Sequence, residues 1–286
     1  MSTLTLEAPA KLNLTLDVLG KRDDGYHEMR MVMQSVSLAD TLTLETAPGE
    51  GVALSTNLGF LPVDGRNLAA AAALRLQEAA GVDFGRLVIA IDKKVPVCAG
   101  MAGGSSDAAA VLRGLNTLLK LDISPEKLAQ IGAGVGSDVP YCVLGGTALA
   151  EGRGEVVTPL PALPRCWVVI AKPGFPVSTP ELFARLDGKR LRCHPDTAGM
   201  LAALESGDLP GVAHRLFNVF EDVLPGHRRD RVDELKQVLL HNGAMGASMT
   251  GTGPTVFGLF DREEVARAAH EAVRPLCPDS FLAQTL

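Results

Sequence analysis

Aromatic residues are scarce, at 4% of a 286-residue chain with one Trp and two Tyr. So few rings exclude an extended stacking surface for single-stranded nucleic acid. Basic charge is also short: 27 Lys and Arg face 33 Asp and Glu, for a net charge of −6. That balance argues against a general nucleic-acid binder, yet leaves room for one small phosphorylated ligand held by a few local donors. Long apolar runs are missing. The longest, residues 68–74, is mostly alanine and falls far below the roughly 20 residues that span a bilayer. The opening Met-Ser-Thr-Leu-Thr-Leu-Glu has no basic start followed by an apolar block, which predicts a cytoplasmic protein. The cysteines, Cys98, Cys142, Cys166, Cys193 and Cys277, are odd in number and form no C-x-x-C pair. This excludes a disulfide framework and a structural zinc site.

What remains is the mix of a soluble globular protein, 47% hydrophobic and 21% charged, long enough for about two domains. Leu12, Leu14, Leu16 and Val18 alternate with polar residues, the period of a half-buried strand. A polar turn at 20–25 and strand-like pieces at 29–36, 40–45 and 51–54 extend an antiparallel β region. Asn67 opens an alanine-rich helix that Gly81 stops. A strand at 87–91 then leads into a glycine-rich turn and a helix. Ala108, Val111, Leu112, Leu115 and Leu119 form the core-facing stripe of that helix, with Ser105, Ser106 or Asp107 as its cap. A helix at 125–131 and a strand at 141–144 follow. Gly and Pro cluster at 151–165, which places a boundary between a domain at 1–155 and another at 156–286. The second half reads as a strand at 167–171, helices near 179–186, 196–205 and 209–220, and a helix at 230–241. It closes with strands at 247–250 and 255–260 and a helix at 261–273. That order predicts a small α+β layer of ferredoxin type.

The turn Pro96-Val97-Cys98-Ala99-Gly100-Met101-Ala102-Gly103-Gly104-Ser105-Ser106 lies between strand and helix. Missing side chains let backbone approach a ligand, and free N–H groups at a helix start attract an anion. Phosphate binding is therefore favoured over a merely tight connection. The P-loop pattern is absent, because no Lys follows Gly104. The spacing of Gly100, Gly103 and Gly104 fails the dinucleotide pattern. No H-R-D or D-F-G of a protein kinase is present.

The turn, continued through Asp107-Ala108-Ala109, resembles the central motif of the GHMP kinase superfamily. Its flanking motifs also appear in order, Pro9-Ala10-Lys11-Leu12-Asn13-Leu14 and Met249-Thr250-Gly251-Thr252-Gly253-Pro254. Arg22-x-Asp24-Gly25-Tyr26-His27, Gly136-Ser137-Asp138-Val139-Pro140 and residues 150–155 resemble one branch. That branch phosphorylates the 2-hydroxyl of a cytidine-diphosphate derivative of methylerythritol in non-mevalonate isoprenoid synthesis. Ala102 stands where the family usually has Gly, and its methyl disfavours positive φ. The resemblance implies an α/β (α+β) two-domain fold, ribosomal-S5-domain-2-like then ferredoxin-like, with ATP and Mg²⁺ in the cleft.

It also implies roles. Asp138, which spacing alone leaves even between a turn cap and a base, becomes the catalytic base. Lys11, on one strand face with Asn13, becomes its partner and offsets charge on the transferred group. Residues Pro96 to Ser106, with Asn67 and Lys93, bind ATP. Asn13, Tyr26, His27, Gly251, Thr252 and Gly253 bind the acceptor, with Tyr26 and His27 at the cytidine. Ser106 is the only candidate metal ligand. Two other readings remain at this point: a GHMP kinase for another alcohol such as homoserine or mevalonate, and a non-catalytic ligand-binding protein on the same scaffold.

Overall fold

The computed structural model describes residues 2–189, 191 and 193–286. Two long antiparallel strands, β1 (Ser2–Lys21) and β2 (His27–Ala47), form its spine. The sequence suggests two pieces for β2, but it is continuous. Its 29–34 half pairs with β5 and its 41–47 half with β4, while β1 runs beside both. Register shifts between Pro9 and Lys11 and between Asn13 and Thr15 bend β1 and re-aim its side chains. β3 (Gly51–Thr56) and β4 (Arg86–Asp92) complete one flank. β5 (Thr147–Gly152) and β6 (Val156–Pro159) form the other, so pairing in this sheet runs past residue 155.

Four helices accompany these strands: α1 (Leu68–Ala80), α2 (Gly103–Leu118), α3 (Pro125–Ala133) and α4 (Val139–Leu144). Asn67 caps α1 by accepting from the Ala69 N–H, and Gly81 ends it at φ 62°. On α2, Ala108, Val111, Leu112 and Leu115 are fully buried. The serines do not cap α2. Ala102 is its N-cap, at φ 56° with no side-chain bond, so the helix begins three to five residues earlier than those cap residues suggest. The expected strand at 141–144 is instead the short helix α4. A short apolar run does not separate the two states, and Pro140 in the first turn favours helix.

The second half contains β7 (Trp167–Ala171), α5 (Thr179–Asp187), α6 (Thr197–Glu205) and α7 (Leu209–His214). The helix expected to reach 220 stops at His214. Phe217–Asn218 pairs with β1 as β8, and a 3-10 turn, Val219–Val223, follows with Asn218 as its cap. α8 (Gly226–His241), β9 (Gly246–Met249), β10 (Val256–Phe260), α9 (Glu263–Val273) and β11 (Ser280–Gln284) complete the chain. The sheet order β11-β7-β10-β9, antiparallel throughout, is the ferredoxin-like arrangement. β11 was not anticipated from the sequence. Its half-buried residues carry little apolar alternation.

Candidate active site

The glycine-rich loop leaves β4 and turns into α2 through left-handed backbone at Cys98, Gly100 and Ala102 (φ 54°, 73° and 56°). Ser106 Oγ donates to the Pro9 carbonyl at 2.7 Å, and the Lys11 N–H donates to the Met101 carbonyl at 3.1 Å. These bonds lock the first and central motifs together. They also occupy the Ser106 hydroxyl, whose residue is 1% exposed. The opening N–H groups of α2 have no intrahelical acceptor and collect at Gly103, Gly104 and Ser105. They face a cavity of about 340 Å³ lined by Leu61, Asn67, Lys93, Pro96 and the loop through Ser105. Asn67 lines this cavity with its polar ends engaged, Oδ1 by the Ala69 N–H and Nδ2 by the Pro62 carbonyl. The Lys93 ammonium points inward, donating to Asp40 and Asp107.

A second cavity of about 340 Å³ meets the first at Cys98, Gly100 and Ala102. Lys11, Asp138, Arg153, Thr179, Phe183 and Thr252 are among its walls. Lys11 Nζ lies 3.9 Å from Asp138 Oδ2, with the side chains 4% and 31% exposed. Asp138 sits at the start of α4 but makes no capping bond, so its carboxylate is free to face the cavity. Asn13 orients the cation, its Oδ1 accepting from Lys11 Nζ at 2.6 Å and from the Gly251 N–H at 2.9 Å. Asn13 is fully buried, so it acts on the site from behind.

The third motif closes over this point. A Cβ at Gly100 would run into the Thr250 carbonyl, and one at Gly251 would lie 2.6 Å from the Gly100 oxygen. Only glycine allows the two loops so near each other. Asn218 Nδ2 donates to the carbonyls of Met249 and Gly251, both at 2.8 Å, and holds the loop from the other side. Thr252 meets Thr179 hydroxyl to hydroxyl at 2.9 Å, and Gly253 lines the same cavity.

Tyr26 and His27 do not line this cavity themselves. Each rests on a residue that does, and His27 lines a separate, more open cavity with Lys21, Leu186 and Asp187. Tyr26 is 54% exposed, with the Arg153 guanidinium 4.9 Å above its ring. His27 stacks on Phe183 at 4.4 Å and pairs through Nε2 with Asp187 at 2.6 Å. Phe183 in turn meets the edge of Phe220. Phe183, Thr179 and Asn218 were not singled out from the sequence, because nothing in a helical segment or an apparent helix end points to a distant cavity. Arg153 lies inside the 150–155 block that was noted.

The first cavity suits a triphosphate: it offers a row of N–H groups with no intrahelical acceptor, and the side chain nearest Gly104 is the apolar Leu68. For a metal, no cluster of three His, Cys, Asp or Glu exists among the described residues. Ser106 is turned away. Any cation here would be held mainly by the phosphates and water, with Ser105 and Asp138 among the residues that offer oxygens on the walls.

Comparison with known proteins agrees with this geometry. A family model described as GHMP kinases N terminal domain matches residues 67–146, and one described as GHMP kinases C terminal matches 200–278. The chain belongs to the GHMP kinase family, whose members use ATP. It is 45% identical to the 4-diphosphocytidyl-2-C-methyl-D-erythritol kinase of Listeria monocytogenes serotype 4a, over 98% of this chain and 95% of that one. It is 42% identical to the kinase of the same name from Alkaliphilus metalliredigens, over 100% and 97%. A crystal structure of 4-(cytidine 5'-diphospho)-2C-methyl-D-erythritol kinase superposes with a TM-score of 0.82 at 33% identity, covering 99% of each chain. Homoserine kinase from Cytophaga hutchinsonii superposes at 0.75 with 19% identity, over 100% of this chain and 95% of that one, a likeness of fold alone.

Proposed function

We propose that this chain transfers the γ-phosphoryl group of ATP to the 2-hydroxyl of 4-diphosphocytidyl-2-C-methyl-D-erythritol, giving the 2-phosphate and ADP. The observation that carries the reading is the Lys11–Asp138 pair, placed where a phosphate-binding loop meets a second cavity. The names of full-length relatives support the choice of acceptor over homoserine or mevalonate. In this reading the N–H groups at Gly103–Ser105 hold the triphosphate, and Asp138 Oδ2 takes the proton of the attacking hydroxyl. A loose transition state needs little basicity from that carboxylate. Lys11, oriented by Asn13, offsets charge growing on the transferred group. Mg²⁺ bound with the ATP would neutralise phosphate charge. Tyr26, His27 and Phe183 offer ring faces and a ring nitrogen to a pyrimidine. We further place the work in the cytoplasm, with two domains, divided after β6 rather than at residue 155, contributing opposite walls of the second cavity. No helix among the described residues is long and apolar enough to cross a membrane.

The test is ADP release with Mg²⁺ and ATP, product mass being read by mass spectrometry. The cytidine substrate, homoserine and mevalonate run in parallel. A phosphorylated product from the cytidine substrate alone is the expected result. Phosphorylation of another alcohol would keep the kinase and overturn the acceptor.

A further inference from the structure

Beneath the phosphate loop lie three charged side chains that the chemistry above does not use. Asp40 of β2, Lys93 after β4 and Asp107 of α2 are 0%, 4% and 5% exposed. The Lys93 ammonium donates to Asp40 Oδ2, and to Asp107 Oδ2 at 2.7 Å. The other Asp40 oxygen accepts the N–H groups of Lys94 and Val95 at 2.6 and 2.8 Å. Those residues are the entry to the loop, and Asp107 stands just past its exit. One buried cation therefore joins both ends of the loop to the central sheet. It also lies against the loop's underside, where a Cβ on Gly103 would come 3.3 Å from Nζ. Two acids share one ammonium, Asp107 Oδ1 has no partner, and burial pushes the Asp107 carboxyl up to about 7.

We propose that Lys93 serves nucleotide binding through the loop rather than by touching phosphate: held between Asp40 and Asp107, it pins both ends of the loop, which makes Asp107 a positioning residue for ATP. The inference rests on the reading of residues 96–106 as the ATP cradle.

Anchoring and direct contact predict opposite signs. If Lys93 bound phosphate directly, deleting the acid beside it would strengthen its field and tighten ATP. If it anchors the loop, the same deletion frees the exit of the loop and weakens ATP. Removing Lys93 leaves two facing carboxylates in a dry site, a costly arrangement that a second substitution can relieve. An Asn at 107 keeps the shape and the acceptor oxygen without the charge.

ATP dissociation constants from calorimetry on the full chain decide between them, using wild type, Asp107→Ala, Asp107→Asn, Lys93→Met and the K93M/D107N double variant. Anchoring predicts about tenfold weaker binding for Asp107→Ala and less than about threefold for Asp107→Asn. Lys93→Met should weaken ATP more than either, and the double variant should recover about fivefold or more of that loss. Cytidine 5′-diphosphate, the probe for the acceptor cavity, should bind every variant within about twofold of wild type. Tighter or unchanged ATP binding by Asp107→Ala, or no recovery in the double variant, overturns the proposal. Parallel losses for ATP and the cytidine probe overturn it too, by making the cluster a general support of the fold. If Lys93→Met does not fold, the Ala and Asn variants at 107 still give the deciding sign. Wild type that binds no ATP removes the cradle reading itself, an outcome visible before any variant is compared.

Discussion

The two cavities that meet at Gly100 are built by different means. The side proposed for the nucleotide centres on backbone: small residues, left-handed turns and the open N–H groups of one helix within residues 96–105, flanked by Leu61, Asn67, Leu68 and Lys93. The acceptor side is mostly side chains, and they come from across the chain: Lys11, Asp138, Arg153, Thr179, Phe183 and Thr252. A phosphate chain is the same in every ATP, so a fixed backbone cradle suffices. An acceptor must be told from other alcohols, and side chains on several elements can be exchanged separately to do that. On this view the cradle sets the reaction class and the opposite wall sets the substrate.

The comparison breaks most sharply at Asp138. Asp138→Asn should lower turnover by about a thousandfold, in the range expected for loss of a proton acceptor. ATP affinity should hold within about twofold, since the carboxylate lies on the acceptor wall. Single-turnover kinetics beside calorimetry would check this. Near-normal turnover would remove the base from the mechanism and leave positioning alone to account for the rate.

The buried cluster under the cradle gives the next largest effect, on stability. The Asp107 carboxyl is raised by burial, from about 4 in an unfolded chain to about 7 in the fold. A raised acid adds stability that is complete below its unfolded value and is lost as pH climbs through the folded one. Wild type should therefore lose on the order of 3 kcal/mol between about pH 4 and pH 7 from this group alone. Asp107→Asn has no such proton to lose. Its melting temperature, relative to wild type, should rise steadily over that interval. A constant difference would place the charge of the cluster elsewhere.

The contrast between the two walls also explains what the sequence made legible. Backbone construction needs Gly and small residues in an unbroken run, so the cradle could be read as a loop before any fold was known. The α1 helix was equally plain, since Asn67 and Gly81 cap it by local chemistry. Side-chain construction leaves no such run. Phe183 looks like one more apolar position of a short helix, and its value lies in stacking on His27, a residue far away in sequence. Lys93 lines the cavity beside the glycine-rich loop, but its inward turn depends on Asp40, from another strand. Residues 141–144 and 217–220 were misassigned for a related reason. Their local patterns fit two states, and contacts of Tyr141 with Ser35 and of Phe217 with Thr15 select one.

Removing an acceptor-side ring tests the division of labour at a smaller scale. Phe183→Ala should raise KM for the cytidine substrate about tenfold, the usual worth of one base-stacking face. KM for ATP should stay within about twofold because Phe183 does not line the nucleotide cavity. Equal changes in both constants, measured by steady-state kinetics with each substrate varied in turn, would mean that the walls close as one unit.

The smallest effect concerns the cradle's one irregular residue. Ala102 adopts φ 56° and ψ 30°, a left-handed conformation that brings its Cβ against the carbonyl that follows. The fold keeps it there because Ser106 and Lys11 bond the loop on either side. Such a residue costs roughly 1–2 kcal/mol. Ala102→Gly removes that strain but lets the unfolded chain sample more conformations, which offsets about 0.5–1 kcal/mol. The net gain should be about 0.5–1 kcal/mol, or about 1–3 °C in melting temperature for a chain of this size. The bonds that fix the loop are untouched, so ATP affinity should move less than about twofold. A rise in stability with unchanged affinity would show that the cradle's shape is set by its surroundings rather than by each residue's own preference. A fall in both would show that the Ala102 methyl, which lies at the meeting of the two cavities, packs there to the benefit of both.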